Sequence, residues 1–93
     1  MGKMTRGTSW REHRLADRME LGGTTYTVDL VGRRATGVQG YRMTVVFLPH
    51  EGGDEVEVSL PNAASTAEFH RIARELEADP DRIAELFRSS RNG

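Results

Sequence analysis

Three observations predict an α+β fold, an antiparallel four-stranded meander followed by two C-terminal helices packed on one sheet face (β-β-β-β-α-α). Up to residue 60 apolar residues alternate with polar ones, which is the period of a half-buried strand. After residue 65, Phe69, Ile72, Ala73 and Leu76 recur at helical spacing. Between the two patterns stands Ser65-Thr66-Ala67-Glu68, a capping box in which Ser65 covers the N3 amide and Glu68 reaches back to the N-cap amide.

The first strand is carried by Leu15, Met19 and Leu21, with Arg14, Ala16, Arg18 and Glu20 between them. Its rival is a short helix from Ser9, which makes a second capping-box pattern with Glu12. Gly22-Gly23 favours the strand, because a two-residue hairpin turn demands positive φ angles. The second strand, Thr24 to Val31, is rich in β-branched residues, with Tyr26, Val28 and Leu30 on one face and Thr25, Thr27 and Asp29 on the other. Residues 32–40 break the alternation with three glycines and read as a mobile loop. In the third strand, Tyr41 to Leu48, Tyr41, Met43, Val45 and Phe47 share a face, while Val46 and Leu48 make its distal half apolar on both sides.

Residues 49–54 form the next turn, and the fourth strand points Val56, Val58 and Leu60 inward and Glu55, Glu57 and Ser59 outward. Helix one is expected over Thr66 to Ala78. Asp79 then caps a second helix, about Pro80 to Arg88, whose proline suits the first helical position. A single domain over residues 9–88 is expected, between flexible tails at 1–8 and 89–93.

The chain has 93 residues and no cysteine, which excludes disulfides, cysteine redox chemistry and zinc-thiolate sites. The first twenty residues hold no continuous apolar stretch, so a cytoplasmic protein with no membrane partner is expected. Charge is split along the chain: residues 1–50 carry eight basic groups against four acids, residues 51–93 ten acids against five arginines. Two readings fit: a basic binding face, or halves that pack with complementary charge.

Catalysis needs a nucleophile beside a base, paired acids or a metal constellation. His13, His50 and His70 lack metal-ligand spacing, and Asp54, Glu55 and Glu57 lack the oxygen density of a calcium loop. Neither a metal site nor a cofactor is expected, and an enzyme is the third and weakest reading.

The glycine-rich loop supplies a candidate anion or nucleic-acid site: Arg33, Arg34 and Arg42, with Gly37 and Gly40 letting backbone amides approach a phosphate. Arg14 and Arg18 are its outlying members. It is not a P-loop, which needs Gly-Lys-Ser/Thr before a helix. The strand aromatics Tyr26, Tyr41 and Phe47 share a phase with the aliphatics, so no stacking platform accompanies the arginines.

A candidate protein interface is formed by Val31, Val46 and Leu48, which point away from the predicted helices, together with Trp10. Burying a valine or leucine gains roughly 1.5–3 kcal/mol, so either the Trp10 segment folds across this face or another chain does, homodimerisation being the simplest case. The function expected is a small non-catalytic protein-interaction module, adaptor or regulatory, with a protein partner or self-association. The alternative is a nucleic-acid- or phosphate-binding domain using the 32–42 loop.

Overall fold

The computed structural model describes residues 10–34, 40–61 and 64–92, and for Trp10, Arg91 and Asn92 the backbone alone. Four strands, β1 (Trp10–Leu21), β2 (Thr24–Arg34), β3 (Tyr41–Pro49) and β4 (Val56–Ser59), form one antiparallel sheet in the order β1-β2-β3-β4. Helices α1 (Thr66–Glu77) and α2 (Pro80–Asn92) follow. The predicted α+β meander is therefore observed.

Residues 10–21 are a strand and not a helix. Gly22 and Gly23 turn the chain with φ of 58° and 84°, pairing Leu21 with Thr24 and leading back to Trp10 opposite Arg33. A strand with that much pairing outweighs the local Ser9/Glu12 signal. The segment thus extends the sheet in its own plane, where the sequence had allowed it to fold across the second face. Its register slips between Arg14 and Ala16 and again between Ala16 and Met19. Each slip is a bulge, which explains why alternation in β1 is imperfect.

The helices cover the face bearing Tyr26, Val28, Leu30, Met43, Val45 and Phe47, all buried. α1 lies against β1 and β3, and α2 against β4. Phe87 of α2 packs on Tyr26 and Phe47, with ring centroids 5.1 Å away in both cases, and Phe69 of α1 packs on Tyr41 at 6.3 Å. Edge and tilted geometries of this kind suit ring quadrupoles.

Both helix starts follow the sequence. At α1 the Ser65 amide donates to Glu68 Oε1 (2.9 Å) and the Glu68 amide to Ser65 Oγ (3.2 Å). The bond from the Ser65 amide holds the Glu68 carboxyl below its ordinary range. At α2 the Arg82 amide donates to Asp79 Oδ1 (3.2 Å). The second helix continues to Asn92, through residues assigned above to a tail. No glycine or proline interrupts it before Gly93, and Ser90 Oγ donates to the Phe87 carbonyl (2.9 Å).

Candidate functional site: the outer sheet face

Alternation along the strands sends a second set of side chains to the face opposite the helices. The register lays them out in rows. Arg33 faces Arg42; Val31 faces Thr44, which faces Ser59; Asp29 faces Val46, which faces Glu57; Thr27 faces Leu48. On β1, Glu12 stands opposite Val31 and Arg14 opposite Asp29.

Val31, Val46 and Leu48 floor a shallow groove of about 220 Å³ here. Glu12, Asp29, Arg33, Glu55 and Glu57 wall it. Val31 and Val46 are only 6% and 8% exposed, yet they stand apart from the main core under the helices. Among the described residues Leu48 is the exposed large hydrophobic one, at 37%. The apolar surface on offer is therefore narrower than the sequence suggests and is centred on Leu48. The Trp10 backbone borders the face at Arg33.

The basic candidates divide. Arg33 and Arg42 are exposed on the outer face and directly opposed across β2 and β3, an arrangement that is unfavourable between like charges. Arg34 has the opposite phase and lies over the Tyr41 ring, its Cζ 5.7 Å from the centroid. Arg11 approaches the same ring (5.5 Å) and its Nε donates to the Tyr41 hydroxyl (3.0 Å), which holds that phenol below its ordinary range. Arg14 donates to Asp29 and Asp17, and the bond to the Asp29 carboxylate raises its pKa. That pairing removes Arg14 from any basic surface. Arg42, Glu55 and Glu57 have no ion-pair partner among the described residues.

Gly40 has a structural reason to be glycine. Its φ is +85°, and a Cβ there would sit 2.6 Å from the Ala64 carbonyl oxygen. Tyr41 and Ala64 exchange backbone hydrogen bonds of 2.7 and 2.9 Å at this point, extending the sheet beyond β4. Gly37 lies outside the described residues.

The histidines are separated. His13 Nε2 lies 3.0 Å from Glu77 Oε1, tying β1 to α1 across the two charge halves. His50 Nε2 meets Thr27 Oγ1 (2.8 Å) and the Asp17 carbonyl (3.1 Å) beside the first bulged strand. His70 lies edge-on to Phe69. Among the described residues no group of three His, Asp or Glu is placed to hold a metal ion. A second concavity, of about 360 Å³, opens on the helix side between Leu60, Ile72, Leu76 and Leu86.

The sequence located the apolar residues of the outer face, but it grouped Arg33, Arg34 and Arg42 in one loop, whereas Arg33 and Arg34 lie in β2 and Arg42 in β3. It missed that Glu55 and Glu57 stand beside Leu48 and Val46, because that neighbourhood follows from the β3–β4 register. The Gly52-Gly53 turn hints at the pairing without setting its offset. No described helix is long and apolar enough to cross a membrane. No family model, curated protein or solved structure matches the chain.

Proposed function

We propose that this chain is a small non-catalytic protein-interaction domain whose contact surface is the outer sheet face. The observation that carries the reading is Leu48, an exposed large hydrophobic residue at the end of an apolar floor, within a groove walled by charges of both signs. Apolar centres with polar rims are the usual anatomy of protein contacts. A cytoplasmic setting belongs to the same proposal and rests on the sequence alone.

Nucleic-acid or phosphate binding is the second reading, favoured by the opposed pair Arg33 and Arg42. Against it, the wall of the groove is largely acidic, Arg14 is already paired, and the strand aromatics are buried under the helices. Phosphate binding by so few cations without stacked bases leaves little besides salt-sensitive attraction.

Photo-cross-linking separates the two. A benzoylphenylalanine at position 48 is expected to cross-link to protein on irradiation, while the same group at the exposed position 85 on α2 does not. A mixed-sequence RNA added to the purified protein is expected to leave the amide NMR spectrum unchanged. No cross-link at 48, or RNA-induced shifts at Arg33 and Arg42 that vanish with salt, would overturn the proposal.

A further inference from the structure

The outer face is polarised along the direction of β3. Arg33 and Arg42 occupy one end, Glu57 (level with Val46) and Glu55 the other, and the row Val31, Thr44 and Ser59 lies between them. From this layout we infer that the partner seated on the face is a second copy of the chain, packed sheet against sheet about a two-fold axis. The inference rests on the reading of this face as a contact surface.

A two-fold axis parallel to the sheet and perpendicular to β3, lying midway between the facing sheets over the point between Thr44 and Val46, turns the face over and end for end. It sets the arginine end of each copy above the glutamate end of the other. An isologous contact repeats every such pairing twice, so one complementary pair of ends satisfies four clusters of charge. An unrelated partner would have to present the same polarity reversed, whereas a second copy presents it by symmetry. Three of the charges concerned, Arg42, Glu55 and Glu57, are exposed and have no ion-pair partner among the described residues.

Packing geometry agrees. Facing sheets lie about 10 Å apart, close enough for outward side chains to interdigitate and for Leu48 to lose its exposure. Four strands at their usual spacing span only about 19 Å, so the contact falls at the small end of specific interfaces and the dimer is weak.

Charge-swapped chains test the register directly, with dimerisation read by sedimentation velocity over a concentration series. Wild-type protein is expected to dimerise reversibly. Arg42→Glu alone places acid against acid at both ends, and Glu55→Arg with Glu57→Arg places base against base. Each is expected to weaken self-association by about tenfold or more. An equimolar mixture of the two variants is expected to restore dimers, because the heterodimer is complementary at both ends. All three positions are exposed, and circular dichroism checks that each variant keeps the fold.

Failure of the mixture to recover dimers overturns the proposed register. Wild-type protein that stays monomeric at every concentration overturns the second copy as partner. Neither result touches the reading of the face itself, which is judged separately by whether the position 48 cross-linker captures protein at all.

Discussion

Gly40 shows how far a single residue can be read from sequence. In the bare string it belongs to a run of glycines beside arginines, which suggests backbone amides around an anion. In the fold its conformation and the Ala64 carbonyl 2.6 Å from a hypothetical Cβ account for it. Gly40→Ala is expected to destabilise the protein by about 1–3 kcal/mol in urea unfolding, since it combines a left-handed backbone with a backbone clash. A loss of less than a few tenths of a kcal/mol would mean that the Tyr41–Ala64 bridge contributes nothing. The arginines have a similar history: adjacency in sequence made Arg33 and Arg34 one cluster, and strand alternation puts them on opposite faces.

At the scale of elements, legibility followed locality. Helix starts are written in three or four residues, and both caps appear where Ser65 and Asp79 predict them. Strand β1 was harder, because its two bulges break alternation and its evidence is the long-range pairing with β2. α2 runs past the expected end at Arg88 because the Ser-Ser-Arg-Asn run carries no stop signal.

Ser65→Ala removes the acceptor for the Glu68 amide and is expected to cost about 1 kcal/mol at neutral pH. Glu68→Ala removes the other half of the box, and that half is acid-sensitive. The folded-state carboxyl titrates below its ordinary range, so its stabilisation is present above that range and is lost as pH falls through the lowered value. The gap between wild type and Glu68→Ala in thermal unfolding should therefore narrow on acidification, while a gap that stays constant would contradict the capping role.

For the molecule as a whole, the informative contrast is between the two faces of one sheet. One face is closed by two amphipathic helices around Phe47, Phe69, Leu30 and Ile83, each fully buried. The other carries buried valines, an exposed leucine and a gradient of charge from the Arg33/Arg42 end to the Glu55/Glu57 end. Sequence alternation identified both faces. The gradient follows from strand register, which no local pattern encodes.

The central claim is that this second face is where the protein meets a second copy of itself. The most direct measurement is an amide-resolved NMR dilution series of the wild-type protein. The account predicts concentration-dependent shifts confined to the outward positions of β2, β3 and β4, strongest from Thr44 to Leu48 and at Glu55 and Glu57, with α1 and α2 unmoved. Shifts confined to the Leu60, Ile72 and Leu86 groove on the helix side would contradict it and move the contact surface to the other side of the molecule.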